Sequence, residues 1–181
     1  MSCSARAEIN LTPTPTLREQ ESFKFPELLF ADGAKTISYE YPRGWRYSSL
    51  ERGRIRFYPA QAGQAVGEIE AIALPRPFSF DEDGAKKLRM DALRVVPKDS
   101  EHIEITDENS NPLVINGHET YEVTISFICY AQRWRESVLF VNIGKQQLRF
   151  KFTSSPDEFA QLHRAFRDSL CSLQWLDSPV K

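Results

Sequence analysis

The sequence predicts an α+β layer fold, and three observations carry that prediction. Residues 121–152 contain successive runs in which apolar and polar side chains alternate, as is typical of antiparallel strands. Two other stretches, 81–96 and 156–173, repeat apolar residues at helical spacing. Strands and helices therefore occupy separate parts of the chain, which does not fit the regular alternation of a βαβ nucleotide-binding unit.

The length and composition indicate one globular domain. The chain has 181 residues, of which 41% are hydrophobic and 27% charged, as is ordinary for a domain with a substantial core. We place this single α+β domain at residues 36–177. An extended or partly docked segment at 1–35 precedes it, and a short tail at 178–181 follows.

The charge and the hydropathy pattern argue against two classes of partner. A formal charge of −2 gives no overall positive field that would attract a nucleic acid or an anionic membrane. Apolar runs such as 138–141 are far shorter than the roughly 20 residues that cross a bilayer. We therefore predict no nucleic-acid partner and no transmembrane segment.

Three cysteines leave the compartment open. Cys3, Cys129 and Cys171 match neither a disulfide scaffold nor a CxxC redox or zinc motif. The residues after Met1 are polar, so the sequence as written has no secretory signal and indicates a cytoplasmic protein. If a signal peptide had been removed before Cys3, this residue would stand where bacterial lipoproteins carry their lipid, and the protein would be periplasmic or lipid-anchored. Otherwise Cys3 is an exposed thiol on a tail.

The first 35 residues combine Thr-Pro repeats with one apolar patch. The repeats predict an extended tether. The patch consists of five apolar side chains within eight positions, namely Phe23, Phe25, Leu28, Leu29 and Phe30. Because so much apolar surface is costly to leave in water, we expect the patch to dock on the domain; the alternative is that it covers a partner.

Alternating runs and turn residues predict the strands. The predicted strands are 36–41, 54–58, 67–74, 102–106, 121–130, 134–143 and 148–152. Pro42-Arg43-Gly44 predicts a turn before Trp45, and the Asp- and Asn-rich stretch 107–112 predicts another. Asn116-Gly117 can start a hairpin, and the last three strands then form an antiparallel meander with a turn at Gly144-Lys145.

Two helices have recognisable start signals. Ser79 and Glu82 have the spacing of a capping box, and the apolar positions after them predict a helix over 81–96 that Pro97 ends. Ser155-Pro156 predicts the N-cap and first residue of a C-terminal helix. Its apolar stripe should pack on the sheet and consists of Phe159, Leu162, Phe166, Leu170 and Leu173.

The order of these elements resembles the superfamily that groups PsbP of photosystem II, the Ran-binding Mog proteins and bacterial DcrB-like proteins. The resemblance spans residues 36–176 and rests on three motifs. They are Ile37-Ser-Tyr-Glu-Tyr-Pro-Arg-Gly-Trp45 at the opening strand, Ile115-Asn-Gly-His118 before the long strand, and Arg149-Phe-Lys-Phe-Thr153 before the last helix. The resemblance implies a twisted antiparallel sheet sandwiched by helices.

The resemblance also implies a role without catalysis. Members of this superfamily mostly bind other proteins or help to assemble them, and bacterial members are often periplasmic or lipid-anchored. No catalytic residue is common to the superfamily, so none is carried over to this chain. No cluster here matches the ion ligands of PsbP proteins, so a photosynthetic role is not implied.

The residue types that most often carry chemistry stand apart in this sequence. His102, His118 and His163 lie in distant segments without partners at metal-ligand spacing. Cys129 falls on the inward face of its strand, where a thiol behaves as a small hydrophobe. Gly63 and Gly67 lack the spacing of a phosphate-binding loop. We therefore predict no catalytic, cofactor-binding or metal-binding residue, and no enzyme.

Arginine-rich stretches are the best candidates for a binding surface. Arg133-Trp134-Arg135 lies at the start of a strand. A second cluster consists of Arg43, Arg46, Arg52, Arg54 and Arg56. Arginine and tryptophan are enriched among the residues that dominate protein interfaces. The alternative is that arginines alternating along a strand only mark its solvent face, so we assign no site residue from them.

Two functions are consistent with these features. The first is a non-catalytic module that binds or assembles another protein, which agrees with the missing chemistry and with the superfamily resemblance. The second is a carrier of a lipid or another small apolar ligand, since an aromatic-rich α+β core can enclose a cavity. The sequence specifies neither the partner nor the ligand.

Overall fold

The structure of the protein is a computed structural model that describes residues 9–20, 23–33, 35–51, 53–60 and 63–177. Within these ranges it contains two antiparallel sheets and two helices. The strands are β1 (Asn10–Gln20), β2 (Phe23–Asp32), β3 (Lys35–Tyr39), β4 (Arg46–Glu51), β5 (Arg54–Tyr58), β6 (Val66–Ala73), β7 (Glu101–Ile115), β8 (His118–Cys129), β9 (Gln132–Ile143), β10 (Gln146–Ser154) and β11 (Gln174–Leu176). The helices are α1 (Glu82–Val95) and α2 (Pro156–Leu170).

The larger sheet has seven strands in the order β4-β5-β6-β10-β9-β8-β7. Strands β7 to β10 follow one another in sequence and in space, so the predicted meander is confirmed. Strand β10 pairs with β9 on one side and with β6 on the other, which joins the meander to the earlier strands. Strand β9 lies inside this sheet between β10 and β8, and its residues 138–141 are apolar and buried on both faces.

The register of the central strands places the two helices on opposite faces of this sheet. Phe140 of β9 pairs with Tyr121 of β8, and both pack with α1. The adjacent Leu139 pairs with Phe150 of β10, and both pack with α2. Because neighbouring residues of a strand point to opposite faces, α1 and α2 cover different sides. The α+β fold with an antiparallel sheet between helices is confirmed.

A second sheet, in the order β1-β2-β3-β11, packs on the same face as α2 and covers β4, β5 and β6. Tyr39 of β3 meets Phe57 of β5 edge to face, with 5.4 Å between ring centroids. Trp45 stacks on Phe166 of α2 at 6.0 Å, directly after the predicted Pro-x-Gly-Trp turn, in which Gly44 has a φ of 79°. Each such buried aromatic stabilises the fold by about 2–3 kcal/mol.

The N-terminal segment differs from the predicted tether. Strands β1 and β2 form a hairpin, and β2 also pairs with β3. Pro13 and Pro15 are tolerated because β1 is an edge strand, where the missing N–H disrupts no ladder. Alternating threonines favour strands as well as linkers, so composition alone misled the prediction. Leu28 and Phe30 of the apolar patch are fully buried in the core of this chain, and the side chain of Phe23 lies outside the described residues.

The prediction of a turn at residues 107–112 is wrong, because these residues lie within β7. Strand β7 is an edge strand, and its pairing with β8 has three irregularities in register. One of them includes Asn111, which has a φ of 54°. The turn-forming residues therefore produce bulges that distort the strand without reversing the chain.

The cap of α1 differs from the predicted capping box, whereas Ser155 is the N-cap of α2 and Pro156 its first residue, as predicted. At α1 the N-cap is Asp81, whose Oδ1 accepts a hydrogen bond from the Gly84 N–H at 2.9 Å, and Ser79 instead donates to the Asp81 carboxylate. At α2 the Ser155 hydroxyl donates to the carboxylate of Glu158. Both helices still begin within one residue of the predicted position, since a polar cap is present in each case.

No helix among the described residues is both long and apolar enough to cross a bilayer. Cys3 lies outside the described residues. Cys129 is buried, as predicted, and Cys171 is exposed at the end of α2.

Candidate functional site

A groove of about 400 Å³ lies where the ends of β7, β8 and β9 extend beyond the N-terminus of α2. We call it the hairpin-end groove, and it is lined by His102, Glu104, Ser126, Phe127, Ile128, Arg133, Trp134, Arg135 and Pro156. The sequence motif Arg133-Trp134-Arg135 is therefore part of one concave surface.

The strand register builds the floor and one wall of the groove. Ile128 pairs with Arg133, and Ser126 pairs with Arg135, so these four side chains point to the face that α2 covers further along the sheet. Glu104 of β7 pairs with Ser126 from the opposite side. The floor is thus formed by β8, the β9 wall is basic, and the β7 wall carries a carboxylate.

The backbone is strained at this end of the sheet. Five described residues other than glycine have a positive φ, and two of them are asparagines, which adopt this conformation readily. The remaining three are His102, Tyr130 and Ala131, with φ values of 50°, 51° and 59°. Histidine also adopts this conformation more readily than most residues, whereas Tyr130 and Ala131 each cost about 1–2 kcal/mol relative to ordinary backbone. Strain concentrated in one place often indicates a functional surface.

Tyr130 and Ala131 form the two-residue turn between β8 and β9. Turns of this type favour Asn-Gly or Gly-Gly because both central residues need a positive φ. Tyr130 nevertheless occupies the first position with 84% of its surface exposed. The Trp134 Nε1–H donates to the Cys129 carbonyl at 3.3 Å, which holds the half-buried indole beside the turn. The hairpin therefore presents an aromatic ring that its own fold does not use.

The two arginines of the groove differ in what holds them. Arg133 is exposed, whereas Arg135 is half-buried and its guanidinium lies over the ring of Phe159, 4.9 Å from the centroid. Neither forms an ion pair with a carboxylate within the described ranges. Both remain available to a partner that carries negative charge.

Glu122 forms the centre of a buried polar cluster between β8 and α2. Its Oε1 accepts a hydrogen bond from Ser137 at 2.6 Å and lies 2.8 Å from His163 Nε2, and its Oε2 lies 3.1 Å from Arg167. Burial raises the pKa of Glu122, but the hydrogen bonds with His163 and Ser137 and the charge of Arg167 outweigh it, so the pKa stays below its usual range. These contacts satisfy the carboxylate and join α2 to the sheet.

Part of the second arginine cluster lies on the face of the larger sheet that is opposite α2. Arg46, Arg54 and Arg56 share this face, and Arg56 pairs with Glu68 at 2.6 Å. Arg149 and Glu70 form a second ion pair on the same face. Arg43 instead lines a different cleft beside α2, and Arg52 lies outside the described residues. Among the described members of this cluster, Arg56 forms an ion pair on this face and Arg43 lies at a separate cleft, so the cluster is not a convergent site.

Glu136 lies at the inner end of this charged face and is 1% exposed. Its Oε2 accepts a hydrogen bond from Thr153 at 2.8 Å, while Oε1 is buried without a hydrogen-bond partner among the described residues. Burial raises the pKa of Glu136 to about 7, although Lys151 of the neighbouring strand lowers it in part. This carboxyl group is sealed from the clefts described here, so its perturbed pKa has consequences for stability.

The histidines occupy three separate environments. His102 lines the hairpin-end groove, His118 begins β8, and His163 contacts Glu122. Across the described ranges no three His, Cys, Asp or Glu side chains are grouped as metal ligands.

Gly67 lies against the ring of Phe166, so its lack of a side chain serves packing.

Other clefts in the described parts of the chain are open, and one internal space is very small. Clefts of about 600 Å³ lie between Trp45 and α2 and between residues 75–79 and α1. The space beneath α2, between Glu122 and Phe150, is about 10 Å³. A space of that size is about what one water molecule needs.

Comparison with known proteins supports the fold assignment. No protein-family profile and no curated protein sequence matches the chain. Among solved structures, LpqN, which is involved in cell envelope biogenesis of Mycobacterium tuberculosis, matches with a TM-score of 0.57 and 16% identity over 91% of this chain and 92% of its own. Cyanobacterial PsbP (CyanoP) from Synechocystis matches with a TM-score of 0.54 and 11% identity over 76% of this chain and 85% of its own.

A structure from Bacteroides thetaiotaomicron also matches, with a TM-score of 0.53 and 13% identity over 80% of this chain and 45% of its own. The chain therefore has the PsbP-like fold, as the motifs of the sequence indicated. At these identities the likeness extends to the fold alone.

Proposed function

We propose that the protein is a non-catalytic binding or assembly module that engages another protein through the hairpin-end groove. The observation that carries this proposal is the exposed Tyr130 on a strained turn, beside two arginines without ion-pair partners in the described chain. Tyrosine, tryptophan and arginine are the residues that most often dominate binding energy at protein interfaces. Strain of this kind lowers stability, so a role in binding gives a reason for it.

A role without catalysis is supported by where the two buried carboxyl groups with shifted pKa values lie. Glu122 is satisfied by Ser137, His163 and Arg167, and Glu136 is sealed inside the sheet. Catalytic groups with shifted pKa values instead face a cleft that substrate can enter. An assembly role also agrees with the presence of the same fold in LpqN, which takes part in cell envelope biogenesis.

The carrier alternative has less support. Ligand pockets for small molecules usually measure about 300–1,000 Å³ and enclose most of the ligand. The described clefts of that size are open and enclose no ligand-sized space, the space beneath α2 is about 10 Å³, and the rings of Trp45, Phe152 and Phe166 fill the surrounding core. A lipid chain would have to displace that core, so we do not propose a carrier.

Differential capture tests the proposed function. The purified chain is used as bait in native extract at low salt, together with the double variant Tyr130→Ala, Arg133→Ala. A matched control, Lys86→Ala with Met90→Ala, removes one exposed cation and one exposed apolar side chain from α1. We expect at least one protein that the wild type and the control capture and the groove variant loses. Equal capture by all three, or none by the wild type, would refute the proposal.

A further inference from the structure

The residues that line the hairpin-end groove indicate the chemistry of the partner that can bind there. We infer that the groove takes an extended acidic segment of a partner protein, with carboxylates at two positions separated by one residue. This inference rests on the proposed function and specifies the partner's chemistry. It depends on charge, on the spacing of two side chains and on the width of the groove.

The charge of the β9 wall favours an anionic occupant. Arg133 and Arg135 have no carboxylate partner in the described chain, and the Phe159 ring holds the second guanidinium in place. The carboxylate that lines the groove, Glu104, belongs to β7, two strands away from β9. It repels negative charge from the β7 wall and so favours placement of the partner's carboxylates against β9. His102, also from the β7 side, is the other titratable group of the lining.

The spacing of the two arginines favours two carboxylates at alternate positions. Arg133 and Arg135 point to the same face of β9 and are two residues apart, which corresponds to about 7 Å along a strand. An extended segment places its own side chains i and i+2 on one side at that same distance. Each carboxylate can then meet one guanidinium, with the intervening side chain pointing away. Adjacent acidic residues would point to opposite sides and engage only one arginine.

The width of the groove favours an extended segment over a helix. Its walls belong to β7 and β9, whose backbones are two strand spacings apart, or about 10 Å, before side chains narrow the gap. A helix with side chains is about 10–12 Å across and would not reach the floor at Ser126 and Ile128. A single extended chain can lie above that floor, and the exposed Tyr130 belongs to the turn that joins β8 to β9.

Two other anionic occupants fit less well. Nucleic acids are usually bound through about 6–10 phosphate contacts, whereas this groove offers two arginines. Anionic membranes attract clusters of basic residues on an accessible surface, whereas these two guanidiniums line a concave site. The geometry therefore points to a peptide segment.

The test is a titration of the isotope-labelled chain, followed by the backbone amide signals of residues 126–135. The first probe is a peptide of about eight residues in which two glutamates flank one threonine. The second probe has the same composition with the glutamates adjacent, and the third has glutamine in place of both. The protein variants are Arg133→Ala, Arg135→Ala and, as a control on α1, Arg94→Ala, each checked for folding by the dispersion of its own spectrum.

We expect the first probe to shift these signals with a dissociation constant about tenfold lower than that of the second probe. The difference between the first probe and the third should be larger than about tenfold. Arg133→Ala and Arg135→Ala should each weaken binding about tenfold, and Arg94→Ala should leave it unchanged. Equal binding of all three probes, or shifts confined to other regions, would overturn the inference. Vesicles containing phosphatidylglycerol that shift the same signals when the peptides do not would also overturn it.

This test separates the inference from the proposed function. If groove variants lose a captured protein but the acidic probe does not bind, the groove binds a partner of different chemistry. If capture is also insensitive to the groove, the proposed function itself fails.

Discussion

The guanidinium of Arg135 lies over the ring of Phe159, 4.9 Å from its centroid. The same ring stacks on His163 at 4.8 Å, and His163 in turn contacts the buried carboxylate of Glu122. A row of contacts thus runs from the hairpin-end groove to the polar cluster under α2. An arginine held in this way loses little conformational freedom when it binds a carboxylate, which favours affinity.

Replacing Glu122 should destabilise the fold strongly. In Glu122→Ala, Ser137 loses its acceptor and the charge of Arg167 loses its partner, which costs about 2–4 kcal/mol of the free energy of unfolding. The lower end is expected if the Arg167 side chain turns toward solvent. Urea denaturation measures the loss, and Glu119→Ala, an exposed position on the same strand, is the control. A loss for Glu122→Ala as small as the control's would contradict the cluster's role.

Glu136 should make stability fall as the pH rises. Its pKa is about 7 in the folded state, above the ordinary 4.5, so between these values the unfolded chain releases a proton that the folded chain keeps. The stabilisation is fully present below about pH 4.5 and is lost by about pH 7, a change on the order of 3 kcal/mol.

The variant Glu136→Gln isolates this effect because it keeps an acceptor for Thr153 and cannot ionise. The difference in free energy of unfolding between the variant and the wild type should grow in favour of the variant as the pH rises from about 4.5 to 7. Glu119→Gln, at an exposed position, should show a much flatter difference. A difference for Glu136→Gln that does not change with pH would show that this carboxyl ionises normally.

Gly67 should not accept a side chain. A Cβ at this position would lie 2.7 Å from the ring of Phe166, which is itself wedged against Trp45 and Phe152. We expect Gly67→Ala to cost about 1–3 kcal/mol through overpacking, although alanine normally suits a strand better than glycine does. Gly63→Ala, where nothing lies within 4 Å, should change thermal stability little. Equal melting temperatures for the two variants would contradict the packing described here.

Relieving the strain in the β8–β9 turn should stabilise the fold, and removing the Tyr130 ring should weaken binding of the partner. In Tyr130→Asn with Ala131→Gly, both positive φ values are occupied by residues that favour them, so the fold should gain about 1–2 kcal/mol. The same variant removes the exposed ring and should lose the partner. Ala131→Gly alone is the control, since it should stabilise the protein and retain binding. Unchanged or lower stability in both variants would show that the turn is not strained.

Local patterns in the sequence were sufficient for most of the domain. The alternation from Tyr121 to Cys129 fixed the face that meets α1, and the stripe from Phe159 to Leu170 fixed the face of α2. Local patterns did not predict which strands pair when they are far apart in the sequence. The polar composition of 107–112 and the Thr-Pro repeats of β1 resemble turn and linker sequences, and only their positions at sheet edges allow them to be strands.

The candidate site was only partly predictable. The composition of Arg133-Trp134-Arg135 indicated a candidate interface from the sequence alone. The sequence did not indicate that His102 and Glu104 would face this motif across β8. The strained turn had one weak signal, which was the short gap between two strongly alternating runs around Tyr130 and Ala131. Nothing in the residue types indicated a positive φ there, because tyrosine and alanine seldom adopt it.

Site-specific photocrosslinking tests the central claim most directly. A photoreactive phenylalanine analogue is placed at position 130, and in a separate protein at position 90, where Met90 is exposed on α1. After irradiation in native extract, the analogue at 130 should form one dominant adduct that excess unlabelled wild type suppresses, and the analogue at 90 should not. Adducts of equal yield at both positions, or at 90 alone, would show that the hairpin end is not the binding surface.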